Sequence, residues 1–183
     1  MPKEITVPAQ ELFDPKTGTF YYTKPVTLLL EHSLLSLSKW ESDWEKLFID
    51  REHTVTEFND YIRCMTLTQN VDPSVYNRLT DDNRKEVQAY IDRKMSAAVI
   101  HSVDNQQQSK KFMTADLIYY YMVEAGVPFD PCQKWHLNRL LMLLRIIGIE
   151  RKAGSKSGKT NKLDSARRHA DINRARRASK GKR

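Results

Sequence analysis

The chain has 183 residues, 40% of them apolar and 29% charged, with a formal net charge of +7. That length holds one ordinary domain with some to spare and buries roughly 70% of the unfolded surface without disulfides or metals. No apolar run reaches the ~18–20 residues needed to span a bilayer, and Met1 to Gln10 lacks the apolar stretch of a secretory signal. The only two cysteines, Cys64 and Cys132, suit buried thiols in a cytosolic protein better than an oxidised scaffold.

The charge is unevenly divided. Residues 151–183 carry 13 Lys/Arg against 2 Asp, a net +11, whereas residues 1–150 carry 17 basic and 21 acidic side chains, a net −4. A mildly acidic body therefore bears a strongly basic tail.

The first thirty residues read as extended. Ile5, Val7 and Leu12-Phe13 precede Asp14-Pro15-Lys16-Thr17-Gly18, and Thr19 to Thr23 follow it, a pattern that predicts a β-hairpin with a five-residue loop. Pro8 and Pro25 confine such strands to edges, and Val26 to Glu31 continues as a third short strand. A two-stranded hairpin is marginal alone in water, so it is expected to lie on the helical body or on a partner.

After His32 the period becomes helical. Leu34, Leu37, Trp40, Trp44, Leu47 and Phe48 share one face. Thr54-x-x-Glu57 spells a capping box ahead of Phe58, Tyr61, Ile62 and Met65. Asp72-Pro73 opens a short helix through Val75, Tyr76 and Leu79. Thr80 or Asp81 caps the next, with Val87, Tyr90, Ile91 and Met95 on its apolar side. Residues 102–111 are polar and read as a mobile loop. Thr114 opens a helix closed by Gly126, and Pro131 starts a last, most apolar helix ending near Gly148-Ile149. Beyond Lys152 only Leu163 and Ile172 are large and apolar, so that segment is expected to be disordered alone. The expected fold is mainly α: a small helical bundle over 32–150, an N-terminal β-hairpin segment over 1–31 packed on it, and a disordered basic tail over 151–183.

Motifs for chemistry are weak. Gly154 to Gly158, followed by Lys159-Thr160, imitates a phosphate loop, but three residues separate the glycines where four are needed, and no apolar strand or helix flanks them. Cys132 and His136 fall one helical turn apart, which with Cys64 and a second histidine would suit a metal; no Cys-x-x-Cys pair supports this, and lone helical cysteines are usually small core residues. No paired carboxylates in an apolar setting and no nucleophile motif are evident. The expectation is a protein that is not an enzyme, with no catalytic residues, metal or cofactor.

Surface features are stronger. Tyr119-Tyr120-Tyr121 sweep some 200° of a helix, more than one core-facing stripe covers, so at least one ring faces outward or meets another chain. Leu140 to Ile147 is apolar almost all round; it is either a central bundle helix or, through side chains such as Leu143 and Ile146, one wall of a partner groove. In the tail, Arg167, Arg168, Arg174, Arg176 and Arg177 suit phosphate contact, capture of an acidic protein, or simple solubilisation. No aromatic accompanies them, which weakens a specific single-strand role.

Three segments together resemble a known family: Leu30 to Glu41 (LEHSLLSLSKWE), Tyr61 to Pro73 (YIRCMTLTQNVDP) and Lys134 to Leu141 (KWHLNRLL). In that order, with the basic Ala/Arg tail, they are similar to the tail assembly chaperones of long-tailed bacteriophages. The resemblance covers most of residues 12–150. It implies a mainly helical protein of the host-cell cytoplasm that holds the tape-measure protein, and tail-tube subunits with it, and is absent from the finished virion. It also implies structural roles for Trp40, Trp135, His136 and Asn138. The competing reading is a nucleic-acid-binding accessory or virion structural protein that works through its tail.

Overall fold

The computed structural model describes residues 2–49, 51–98, 112–152 and 154. It forms two compact units, Met1–Leu143 and Leu144–Arg183. In the first unit the order is β1 (Lys3–Val7), β2 (Glu11–Asp14), β3 (Thr19–Tyr22), β4 (Val26–Leu30), α1 (Leu34–Trp44), α2 (Val55–Met65), α3 (Ser74–Asn77), α4 (Asp81–Ile91), α5 (Ala115–Ala125) and α6 (Phe129–Cys132). Helical residues 137–143 close it as α7, and the described residues of the second unit, 144–152 and 154, are helical too.

The expected helical bundle is not what forms; the protein is mixed α/β. The first thirty residues supply two antiparallel two-stranded sheets, β1–β4 and β2–β3, and the former is part of the core. Period-2 alternation places Ile5, Val7, Leu28 and Leu30 on one face, and all four are buried. That face meets α4, and Lys3 Nζ pairs with Glu86 on that helix at 2.5 Å. The free side of β4 is covered by the segment after α2: Glu31 N–H donates to Met65 O, Leu67 N–H to Leu29 O, and Leu29 N–H to Thr68 Oγ1, at 2.7–2.9 Å.

The predicted hairpin exists as β2–β3, with Phe13 opposite Phe20 and Leu12 opposite Tyr21. Its turn spans 15–18, held by Gly18 N–H on Asp14 O and by Lys16 N–H and the Thr17 hydroxyl on the Asp14 carboxylate. Gly18 takes φ +64°, the left-handed region that a side chain disfavours. The third strand, β4, joins β1 rather than extending this hairpin. Pro8 and Pro25 fall between strands, not within edges, so they divide one long ribbon into two ladders.

Helix entries follow local chemistry. Ser33, Thr54 and Thr80 each accept from the backbone three residues on, while Ser36, Glu57 and Asn83 close reciprocal capping boxes. Thr114 caps α5, Gly126 ends it at φ +69°, and the Glu41 carboxylate reaches across from α1 to accept from Ala115 N–H at 2.7 Å. α1 stops at Trp44 because Glu45 turns left-handed, so Leu47 and Phe48 leave the helix they were expected to extend. Phe48 instead stacks on Tyr61 with ring centroids 3.7 Å apart, beside the fully buried Trp40, whose Nε1–H donates to Glu57 O. Two further expectations fail near the end of the chain. Pro131 lies in the short α6, with α7 starting at 137, and helicity continues past Gly148-Ile149 to 152. Residues 102–111 and the tail from 155 lie outside the described residues.

Candidate interaction surface

The sequence motifs with chemical potential resolve into structural contacts. Cys132 ends α6 and His136 precedes α7, so the two do not share a helix face. His136 Nε2–H donates to Tyr90 O at 3.2 Å and its Nδ1 accepts from Asn138 N–H at 3.3 Å, which fixes a neutral tautomer. Asn138 Nδ2 donates to Ile91 O and Arg93 O, both at 2.8 Å, and so caps the C-terminal end of α4. His32 lies against His136 with ring centroids 5.1 Å apart, and its Nδ1 is 2.7 Å from the Tyr61 hydroxyl. Burial, reinforced by His136, pushes His32 down to about 3. The Tyr90 hydroxyl donates to Glu31 at 2.7 Å, and burial raises Tyr90. These groups knot β4, α2, α4 and the entry to α7 together.

Two clefts of about 530 and 510 Å³ share Arg51, Glu52, His53 and Gln88. Ionisable side chains do gather there, and three of them make hydrogen bonds to other groups. The His53 ring donates from Nε2 to Phe48 O at 2.7 Å, His32 meets Tyr61, and Arg84 donates to Leu79 O at 2.6 Å. Neither imidazole faces a serine, threonine or cysteine nucleophile by any hydrogen bond among the described residues. Asp43, Asp60 and Cys64 also approach one another closely enough to hold a cation. Arg63 already bridges the two carboxylates at 2.6 and 2.9 Å, and burial pushes the Cys64 thiol up to about 11. An internal guanidinium and a protonated thiol make that cluster a poor metal ligand set.

The aromatic features are different. On α5, Tyr120 and Tyr121 are 55% and 36% exposed with ring centroids 5.6 Å apart, and Val123 beside them is exposed as well. Tyr119 turns inward, half-buried, its ring edge-on to Phe129 at 5.2 Å and its hydroxyl donating to Gln133 at 3.3 Å. Leu143 is half-buried, and Ile146, in the second unit, is 37% exposed. Arg167, Arg168, Arg174, Arg176 and Arg177 lie outside the described residues. Trp40 is fully buried, while Trp135 is half-buried under the Arg139 guanidinium, 4.5 Å from its ring centroid.

Sequence reasoning missed the largest aromatic surface. Phe13, Phe20, Tyr21 and Tyr22, on β2 and β3, are 54%, 66%, 49% and 74% exposed. The alternation that predicts a hairpin assumes a body beneath one face; among the described residues none covers these rings. The available signal was four aromatics within ten residues, three of them consecutive.

The base of this arm is fixed. Thr23 N–H donates to Gln10 O and Gln10 N–H to Thr23 Oγ1, each at 2.9 Å. Arg78, buried just before α4, donates from Nη1 to Thr23 Oγ1 at 2.6 Å and to Pro8 O and Lys24 O at 3.4 Å. Gln10 Nε2 in turn donates to Arg78 O. One cation thus clasps both chains of the ribbon where the prolines divide it.

Comparison with protein-family models, with curated proteins and with solved structures found no match. No helix among the described residues is long and apolar enough to cross a membrane.

Proposed function

We propose that this chain is a tail assembly chaperone of a long-tailed bacteriophage, acting in the host-cell cytoplasm as a stoichiometric holder of the tape-measure protein, and of tail-tube subunits with it. It is not an enzyme on this reading, and it leaves before the virion is complete. The observation that carries the proposal is the uncovered aromatic surface: Tyr120, Tyr121 and Val123 on α5, and the ring-bearing β2–β3 arm, on a body in which the described histidines, His32, His53 and His136, and the cysteines serve packing. A tape measure is a long amphipathic polypeptide. Holding one calls for several modest apolar contacts that release on cue, and exposed aromatics supply large contact area at low entropic cost.

Co-expression with the tape-measure protein tests this. The complex is expected to stay together through size exclusion at 0.5 M salt and after removal of residues 152–183. Tyr120→Ser with Tyr121→Ser is expected to weaken it at least ~10-fold with an unchanged Tm. If the chain instead retains DNA, loses it between ~50 and 200 mM salt, and loses it wholly with the tail, the nucleic-acid reading replaces this one.

A further inference from the structure

We infer that the β2–β3 arm takes up an extended, uncharged, apolar segment of another polypeptide as an added strand along the open edge of β3. This deepens the holding function proposed above and rests on it for the identity of the natural partner. Three observations point to that edge and that occupant.

The first is the ladder. In an antiparallel pair, residues alternate between hydrogen-bonded and non-hydrogen-bonded positions. Thr23 donates to Gln10 across the ribbon, so counting along the register places Tyr21 and Thr19 at bonded positions facing β2. Phe20 and Tyr22 then sit at non-bonded positions, opposite Phe13 and Glu11. The N–H and C=O groups of Phe20 and Tyr22 therefore point away from β2. No third strand joins this sheet among the described residues, so those groups offer a pairing edge with a two-residue repeat.

The second is charge. Natural edges are blunted by lysine, proline or inward charge. β3 reads Thr19-Phe20-Tyr21-Tyr22 and has none of these, whereas β2 carries Glu11 and Asp14. An incoming strand meets Glu11 and Asp14 directly along β2; along β3 it meets no charged side chain of the strand itself, and the nearest carboxylate, Glu11, lies across the ladder and accepts from the Tyr22 hydroxyl. The matching segment is itself neutral, with apolar side chains at alternate positions to lie beside Phe20 and Tyr22, and uncharged polar ones between them to lie beside Tyr21.

The third is size. Four rings of ~150–250 Å² each, half to three-quarters exposed, offer roughly 500 Å². A stable interface needs about 800 Å² per partner. The arm is too small to hold two copies of this chain together and large enough for a short strand, whose backbone bonds supply the remaining grip.

The test uses the full chain, isotopically labelled, and a capped, uncharged peptide of sequence Asn-Thr-Val-Thr-Phe-Thr-Val-Thr-Asn as probe. Saturating peptide is expected to slow amide hydrogen exchange at Phe20 and Tyr22 by about tenfold or more, leaving Thr19 and Tyr21 near their free values. Tyr22→Pro, which removes an edge donor, should abolish the slowing. Tyr22→Thr, which keeps the donor and loses the ring, should retain most of it. Unchanged exchange at Phe20 and Tyr22 overturns the inference, as does equal loss in both Tyr22 variants, which would make the ring and not the edge the contact. Slow exchange without peptide, accompanied by a doubled mass, also overturns it and assigns the edge to a second copy. A tape-measure complex that survives Tyr22→Pro undiminished removes the strand but leaves the holding function standing. Failure of the wild-type chain to retain the tape measure removes that function, while the peptide experiment still decides the strand.

Discussion

One ribbon of antiparallel chain behaves in opposite ways along its length. Its proximal half, β1–β4, buries Ile5, Val7, Leu28 and Leu30 against α4 and has its β4 edge covered by residues 65–68. Its distal half, β2–β3, has comparable β-forming residues and a similar ladder, yet leaves its four aromatics largely in water. Local propensity is the same in both; what differs is what lies beneath and beside the strands. The apolar content of a strand therefore does not by itself decide whether it is core.

The comparison is most sharply tested by acid. His32, the second residue past β4, has an ordinary value near 6.5 and is held at about 3 in the fold, and burial lowers its neighbour His136 as well. Above pH 6.5 both states are neutral there and nothing is gained or lost. As pH falls through 6.5 the unfolded chain binds protons that the folded one refuses, so stability declines steadily toward pH 3, by ~5 kcal/mol in all for His32 alone. Between pH 6.5 and 4.5 the decline comes from the imidazoles, opposed by Glu41, whose buried carboxyl takes up its proton at higher pH in the fold than in the unfolded chain, and His32→Gln should flatten the decline in denaturant titrations. The arm, which contains no histidine, should show no such dependence in its Phe20 and Tyr22 resonances.

Leu28→Ala is expected to cost ~2–5 kcal/mol in urea unfolding, since the site is fully buried and enclosed. Arg78→Met should cost ~1–3 kcal/mol by removing the guanidinium from Thr23 Oγ1 and from the Pro8 and Lys24 carbonyls, and backbone relaxation should show the arm moving more freely on a body otherwise intact. At the small end, Phe20→Ser and Tyr22→Ser should each change stability by less than ~0.5 kcal/mol. A loss of 2 kcal/mol from either would mean that the distal half is core after all.

What could be read from the residues follows the same division. Caps and turns were legible: Thr54-x-x-Glu57, Thr80, Thr114 and Gly126 bound helices as expected, because their chemistry acts within one turn of chain. The hairpin turn at Asp14 to Gly18 was legible for the same reason. The pairing of β4 with β1 was not, since it joins residues nineteen to twenty-seven apart in sequence and no local signal prefers it to extension of the hairpin. That long-range pairing is what turns an expected helical bundle into a mixed fold. Among candidate interaction residues, the outward Tyr120 was implied by helical geometry, while the inward Tyr119 depended on Gln133 and Phe129, which come from a later segment. Arg78 gave no sign of its clasp; an isolated arginine before a capping threonine reads as surface.

Both native thiols are shut away, with Cys64 and Cys132 free and buried. A single cysteine introduced at Lys16, in the exposed turn of the arm, would therefore be the one sulfhydryl in the described fold that a maleimide reaches quickly. A fluorophore or spin label could be placed at the tip without first mutating the wild-type chain to a cysteine-free background, and the arm followed in real time while it meets a client.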